Sequence, residues 1–507
     1  MQTNELFDVL VVGYGPSGAT LANLMGQAGH RVAVAETHAE IFDKPRAINL
    51  DQEALRLWQR IGLAAKISDG CAHHPGTDFL GVDGEPIKSI YSAPAPYPLG
   101  WPANVMFVQP EAERHLRERV DTLDSVSVFL EHTAKTYEKH ADHIAVTFDT
   151  PDDPKTLRAR YLVGCDGANS PTREWLGITQ TDLGFSEHYV VIDAWVTRDT
   201  PLPARTTQYC RPDAPTSYVI CSGNLRRWEL KILPDENPYD YLDQEKINKR
   251  LASFVDVSAL KFWRVAVYLF RARVADKWRD GRVFLAGDAA HMMPPFLGQG
   301  LNSGLRDVGN LWWKLSSALK DDRSAGLLDT YEVERRPHIM ALTEITKELG
   351  LIVGETDPAK AAARDVRLRA EMKDTSKITV RQDLIPPICA GFIDQNDKSG
   401  LAGHLAPQPN VMANGGSHLL DDLLVGFSIV HKEAGEGDVL SVTTNLEAAE
   451  STQFTCMEQH SLFADFCAKH AATCFAVRPD GTIWGVGSDP AELKKKLMRA
   501  LKGLTVF

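Results

Sequence analysis

Hydrophobic positions along the chain fall into two kinds of run. Residues 7–12, Phe-Asp-Val-Leu-Val-Val, form a short apolar block rich in Val, the pattern of a strand buried on both faces of a parallel sheet. Helix-compatible apolar spacing follows over 19–28 and stops at Gly29, a suitable residue just past a helix end. A second Val-rich block, 31–35, closes on Glu36, and comparable blocks precede Asp166 and run over 283–286. Between 189 and 232 the runs Tyr189-Val-Val-Ile-Asp-Ala-Trp-Val, Thr206-Thr-Gln-Tyr-Cys, Ser217-Tyr-Val-Ile-Cys and Trp228-Glu-Leu-Lys-Ile predict short strands separated by Pro, Gly or Asn. Beyond 300, Leu301, Leu305, Val308, Trp312, Leu315 and Leu319 alternate steps of four and three, which predicts a long helix with one buried face. Residues 355–400 turn polar and Ala-rich and end in a connector around Ile385-Pro-Pro. Two more strand-like blocks (426–430 and 474–478) and an amphipathic helix over 490–501 complete the pattern.

Chemistry enters where the first strand meets the first helix. Gly13-Tyr14-Gly15-Pro16-Ser17-Gly18 sits at that junction, and Glu36 ends the next strand. Three glycines alone are as compatible with an ordinary turn. Strand, Gly-x-Gly-x-x-Gly, helix, strand and acid together predict a dinucleotide-binding unit, of NAD or of FAD. Gly13 allows the tight turn, Gly15 lets the backbone approach a pyrophosphate, and Gly18 lets helix and strand pack closely. The helix N-terminus offers free N–H groups to the phosphates, and Glu36 accepts from the adenosine ribose.

Two further motifs choose between the dinucleotides. Tyr161-Leu-Val-Gly-Cys-Asp166-Gly167 is a strand running into Asp-Gly. Val283-Phe-Leu-Ala-Gly287-Asp288-Ala-Ala-His291 runs into Pro294-Pro295-Phe-Leu-Gly298-Gln299-Gly300-Leu301-Asn302. With the glycine loop, these resemble the class A flavoprotein aromatic hydroxylases over about the first 350 residues. Runs at Pro45-Arg-Ala-Ile, Gly100-Trp-Pro, Asn302-Ser-Gly-Leu-Arg-Asp307 and Asp329-Thr-Tyr-x-x-Glu-Arg-Arg336 are most similar to the branch containing 3-(3-hydroxyphenyl)propionate hydroxylase. The resemblance implies that the glycine loop holds the FAD pyrophosphate and Asp288 the ribityl chain. It implies that Asp166 serves FAD and the reducing nicotinamide, and that Gly298, Gly300, Leu301 and Asn302 meet the flavin ring through backbone groups. Arg46 and Gln109 match flavin contacts. His291 stays open between a structural and a catalytic histidine.

The implied fold is α/β: a Rossmann-like FAD-binding domain (1–75, 106–185 and 281–350), a β-sheet substrate domain (76–105 and 186–280), a helical connector (351–400) and a thioredoxin-like C-terminal domain (401–507) without Cys-x-x-Cys. That last unit lacks dithiol chemistry and reads as an interface or stability module. The implied sheet is antiparallel and roofs the flavin, with Tyr209, Tyr218, Arg226 and Arg227 as pocket candidates, joined by Pro295 of the flavin loop. An Arg there would pair with a carboxylate, and a Tyr would relay a phenolic proton. The implied activity is hydroxylation of a phenolic or aromatic-acid substrate with NADPH or NADH and O2, through a flavin C4a-hydroperoxide, in aromatic catabolism. A halogenase or reductase on the same fold and a non-catalytic flavin-binding redox sensor are the alternatives. The halogenase signature Trp-x-Trp-x-Ile-Pro is absent from the sequence.

Composition narrows the partners. With 44% hydrophobic and 24% charged residues, the 507-residue chain has a soluble globular profile. A net charge of -12 disfavours nucleic acid as partner. Nothing approaches the ~18 apolar residues of a membrane span, and residues 1–10, without Lys or Arg, argue against a secretory signal. The eight cysteines show neither Cys-x-x-Cys nor a metal-spaced His cluster. A cytoplasmic homo-oligomer, a dimer, without a bound metal is the expectation.

Overall fold

The computed structural model describes residues 5–374, 378–413, 415–433, 439–444, 451–456 and 462–503. Strand Leu6–Val12 has five of its seven residues buried and lies between Val32–Ala35 and Lys155–Gly164, parallel to both. Val126–Phe129 and Val283–Leu285 extend this parallel set at its two ends. The hairpin strands Thr133–Lys139 and Ile144–Asp149 add an antiparallel flap against Lys155–Gly164. Helix Pro16–Gln27 packs between the sheet and helix Gly300–Lys320, and all of its residues from Gly18 to Gly26 are buried. Leu305, Val308 and Leu315 of the long helix are fully buried in the same core.

A nine-stranded sheet forms the second layer. Its order is His291–Met292, Leu260–Ala275, Gln180–Val196, Leu225–Lys231, Thr216–Ile220, Thr206–Tyr209, Thr77–Leu80, Pro86–Tyr91 and Thr379–Val380. Most pairs are antiparallel. Thr206–Tyr209 with Thr77–Leu80 and Thr379–Val380 with Pro86–Tyr91 are parallel. Strands from both segments 76–105 and 186–280 meet in this sheet, while Asn104–Met106 and Arg279–Asp280 pair elsewhere. The expected segment boundaries differ from the structure in four places. Gln180–Val196 runs through position 185/186, strand Asn104–Met106 runs through 105/106, helix Gly326–Gly354 runs through 350/351, and the connector supplies strand Thr379–Val380 besides helix Pro358–Met372. A continuous element is the reason each time, since hydrogen-bond ladders do not stop where motif content changes.

Alternation along the strands gives the second sheet two distinct faces. The outer face carries Ile192, Tyr218, Trp228 and Leu230, covered by helix Gln244–Leu251. The inner face turns toward the FAD-side elements: Arg227 reaches the loop at 45–46 and Lys231 reaches the end of helix Gly326–Gly354. The C-terminal unit carries the hairpin-plus-helix ending of a thioredoxin-like fold, Cys474–Val477, Ile483–Gly487 and then Pro490–Gly503. Its seven-stranded sheet has antiparallel pairing throughout the described residues. No helix among the described residues is long and apolar enough to cross a membrane.

Candidate functional site

Three chain segments meet at the N-terminus of helix Pro16–Gln27. Gly13 has φ +99°, and a Cβ there would lie 2.4 Å from the Cys165 carbonyl oxygen, so the glycine loop rests on the Asp166 turn. A Cβ on Gly18 would lie 2.0 Å from the Gly13 oxygen. A Cβ on Gly15 would meet nothing within 4 Å, which leaves room above the loop at that residue. The Gly287–Ala289 turn closes from the other side: a Cβ on Gly287 would come within 3.0 Å of the Ser17 hydroxyl oxygen and 3.8 Å of Gly304 Cα. No side chain caps the helix at Gly15 and no acid stands in its first turn. The helix end therefore keeps its positive character for an outside anion.

Carboxylates border this trench, and two of them are left short of partners. Glu36 is engaged: its oxygens accept the Tyr14 N–H at 2.8 Å and the His38 N–H at 3.0 Å, tying the loop to the second strand. Asp166 accepts the Thr172 N–H at 2.9 Å through Oδ2, while its buried Oδ1 accepts nothing. Burial pushes its carboxyl up. Asp288 makes no hydrogen bond to a described residue. It is open to water on one side but crowded by protein elsewhere, and this desolvation pushes its carboxyl up against the pull of His291 and Arg46. Unsatisfied acceptors beside an uncapped helix end fit a ligand that brings hydroxyls and phosphates together, as FAD does with its ribityl chain, riboses and pyrophosphate.

Asp307 fixes the Gly-Asp turn. It accepts the Gly287 N–H at 3.0 Å, His291 Nε2–H at 2.7 Å and Arg335 Nε–H at 2.9 Å. Burial opposes its ionisation, but His291, Arg335 and these hydrogen bonds hold it below the usual range. His291, fully buried and stacked on Trp278, is in the structural position of its two alternatives. Asp307 and Arg335 both lie in the runs that carry the resemblance; sequence reasoning gives the 329–336 run a structural, pairing role within the flavin domain but names no partner for Arg335 and no role for Asp307. A buried acid meeting a buried Arg is visible only once the two helices are paired.

The flavin-loop residues divide by how their side chains are engaged. Gly298 is left-handed (φ 59°), and Gly300 opens helix Gly300–Lys320 at a point where a Cβ would meet nothing within 4 Å. Leu301 is half-buried beside it. Asn302 clips the loop with its amide, accepting the Asp51 N–H at 3.1 Å and donating to the Gly298 carbonyl at 2.8 Å. Arg381, from the connector, also donates to the Asn49 side chain and the Leu297 carbonyl, and no sequence pattern pointed to it. Pro295 is half-buried, and its carbonyl accepts the Gly298 N–H at 2.7 Å. Gln109 is a strap: its oxygen accepts the Arg46 and Ala47 N–H groups at 3.1 and 2.6 Å and its amide donates to Glu113. The Arg46 side chain is exposed and lies over Phe42.

The substrate-side candidates require a correction. Tyr209 packs on Phe254, and Tyr218 is buried against Trp228, both on the outer face beneath helix Gln244–Leu251. Arg226 shares their parity and donates to the Gly223 and Leu225 carbonyls. None of the three faces the flavin loop. The reason is strand alternation: Tyr218 pairs with Trp228, whereas Arg227 and Glu229 point the other way. Arg227 is on the inner face but is held by Asp193 at 2.7 Å and by the Pro45 and Arg46 carbonyls at 2.9 and 2.8 Å. Phe296 stands over this face, edge-on to Tyr189 at 5.8 Å and Phe270 at 6.5 Å, so the flavin loop packs against the inner sheet face. A cavity of about 530 Å³ elsewhere, between Arg56, Ile385 and His404, contains no residue of the three motifs.

The profile of the family described as FAD binding domain matches residues 6–346. A "probable NADH-specific resorcinol 4-hydroxylase" of Rhodococcus jostii is 32% identical over 96% of this chain and 93% of its own. The chain belongs to the class A flavoprotein aromatic hydroxylases. FAD is the cofactor of this NAD(P)H-dependent hydroxylase. A 3-(3-hydroxy-phenyl)propionate/3-hydroxycinnamic acid hydroxylase of Burkholderia vietnamiensis is 33% identical over 93% of this hydroxylase and 92% of its own length. A solved aklavinone-11 hydroxylase with FAD and aklavinone shares the fold, with a TM-score of 0.76 at 21% identity, covering 99% of this chain and 100% of that one.

Proposed function

We propose that this hydroxylase inserts one oxygen atom of O2 into a phenolic ring, with a reduced nicotinamide as electron donor, in the breakdown of aromatic compounds. The observation that carries the reading is the trench itself: two carboxylates without full partners, an uncapped helix end and a side-chain-free loop converge on one line. In this reading Gly13, Gly15 and Gly18 admit the pyrophosphate, Glu36 takes the adenosine ribose, and Asp288 takes the ribityl hydroxyls. Asp166 uses its free oxygen on FAD or the incoming nicotinamide. Arg46 supplies a cation at the open side, Gln109 holds the Arg46 loop in place, and Gly298, Gly300, Leu301 and Asn302 present backbone to the ring.

When bound, the flavin would carry electrons from the nicotinamide to O2 and hand one oxygen atom to the ring. The protein binds, orients and keeps water out: in this reading the ring enters a cleft where the flavin loop meets the inner sheet face, beside the apolar cluster of Phe296, Leu297, Tyr189 and Phe270. The discontinuous division into FAD-binding and sheet domains is part of this reading, as are a homodimer and a cytoplasmic setting. The Rhodococcus relative makes NADH the first donor to test. The decisive experiment adds phenols to the FAD-loaded enzyme and follows NADH loss, O2 uptake and product mass. A gain of one oxygen, with NADH and O2 consumed in equal amounts, is the expected result; NADH loss that no phenol stimulates would sink the reading.

A further inference from the structure

The charged side chains that flank Glu229 on the inner sheet face are engaged. Arg227 binds Asp193 and two loop carbonyls; Arg264 donates to the Pro45 carbonyl and lies 3.7 Å from Asp193. Lys231 holds Glu187 and the Gly354 carbonyl, both at 2.7 Å. Glu229 sits between Arg227 and Lys231 on the same strand and face, only 6% exposed, and makes no hydrogen bond to a described residue. Its nearest cation atom is Arg227 Nη1 at 3.9 Å, on a guanidinium that Asp193 already holds. Desolvation pushes the Glu229 carboxyl up to about 7, with Arg227 only partly offsetting it.

The neighbours of Glu229 complete a polar wall. Ser217 pairs with it across the sheet and donates to the Gln208 side-chain oxygen at 2.6 Å, which leaves the Gln208 amide N–H groups free to donate. Val191 pairs with it on the other side, and Tyr189 and Phe270 continue the same face toward Phe296 of the flavin loop. This wall offers a carboxylate acceptor and an amide donor. Its cations are all occupied.

Building on the aromatic-hydroxylase reading above, we propose that the cleft selects an uncharged phenol or dihydroxybenzene, whose ring hydroxyl donates to Glu229, over a phenol bearing a carboxylate. Above about pH 7, where Glu229 is ionised, a carboxylated ligand would set a second negative charge beside an unpaired one, an arrangement that suppresses wrong partners. A ring hydroxyl instead satisfies the acceptor that the inner sheet face leaves open.

The test uses the full-length FAD-loaded enzyme and titrates its flavin absorbance with resorcinol and with 3-(3-hydroxyphenyl)propionate, alongside NADH oxidation. The wild type is expected to bind resorcinol at least about tenfold more tightly, the scale of one hydrogen bond to a charged acceptor. Glu229→Gln, isosteric but uncharged, is expected to weaken resorcinol binding by about tenfold and to narrow the gap between the ligands. Its FAD content and melting temperature report whether it is folded. Tighter binding of the carboxylated ligand by the wild type overturns the proposal without any variant, and so does a discrimination that Glu229→Gln leaves untouched. If neither ligand perturbs the flavin and no phenol stimulates NADH oxidation, the hydroxylase reading itself falls, a result distinct from inverted preference.

Discussion

Carboxylates on either side of the FAD-binding core behave in opposite ways. At the seam with the C-terminal unit, Glu334 accepts from Asn310 at 2.6 Å and Arg478 at 2.9 Å, with Lys314 at 2.8 Å. Asp421 takes Arg56 through two bonds of 2.7 and 2.8 Å and Arg60 through a third of 3.0 Å. Burial opposes ionisation at both, yet their cations hold them below the ordinary range. In the trench and on the inner sheet face, Asp166, Asp288 and Glu229 are pushed up by desolvation with too little to offset it. Where polar groups are fully paired, the fold has met another part of its own chain. Where they are left short, it is shaped for something that arrives later.

Removing Arg478 should break the contrast most severely. Arg478→Ala strips a guanidinium from Glu334 and Asp480 in a fully buried setting, at an expected cost of about 3–5 kcal/mol. Guanidinium unfolding followed by tryptophan fluorescence measures it, since Arg478 packs on Trp313; FAD affinity of the folded fraction should stay unchanged. The cleft should answer in reverse. Asp288→Ala is expected to weaken FAD binding by roughly 1.5–3 kcal/mol, tenfold to a hundredfold, in a flavin-fluorescence titration of the apoprotein, with little change in apoprotein stability. Gly15→Ala should behave alike, since its new methyl has open space in the chain but stands where the pyrophosphate is read to lie.

Acid sharpens the same distinction. A carboxylate whose folded pKa is depressed contributes stability that is present above its unfolded value, roughly 4.3 for Glu, and is lost as pH falls toward the folded one. Glu334 is of that kind. Unfolding midpoints between about pH 6 and pH 3.5 should therefore drop more steeply for the wild type than for Glu334→Gln; equal slopes would contradict the assignment. The smallest effect is expected on the outer face. Tyr209→Phe and Tyr218→Phe should change stability by no more than about 1 kcal/mol and kcat/KM by less than about twofold. Steady-state kinetics showing a tenfold loss would return these tyrosines to the cleft.

Much of the nucleotide half was readable from the chain because its constraints are local. Gly13, Gly15 and Gly18 each answer a backbone requirement within a few residues, and the strands on either side are the apolar blocks that buried parallel strands must be. The substrate wall was misread for a physical reason. Tyr209 and Tyr218 drew attention as aromatic and polar at once, but a strand has two faces and composition alone does not say which one is covered. The run 225–231 held the signal: charges at 227, 229 and 231 alternate with Trp228 and Leu230, so the charged side is not the one that helix Gln244–Leu251 buries. Arg381 and the Asp307–Arg335 pair were not readable, because their partners lie far along the chain and only the assembled helices bring them together.

The seam also has a temporal consequence. Glu334 and Arg478 are 144 residues apart, so at roughly 5–20 residues per second a ribosome makes the second about 7 to 30 s after the first. Throughout that interval the nascent nucleotide-binding half carries Glu334 without its guanidinium, and helix Gly300–Lys320 lacks the cover it needs. Maturation of the flavin-binding core is thereby coupled to synthesis of the last strands, and a stalled or prematurely terminated chain becomes a natural substrate for chaperones and proteases.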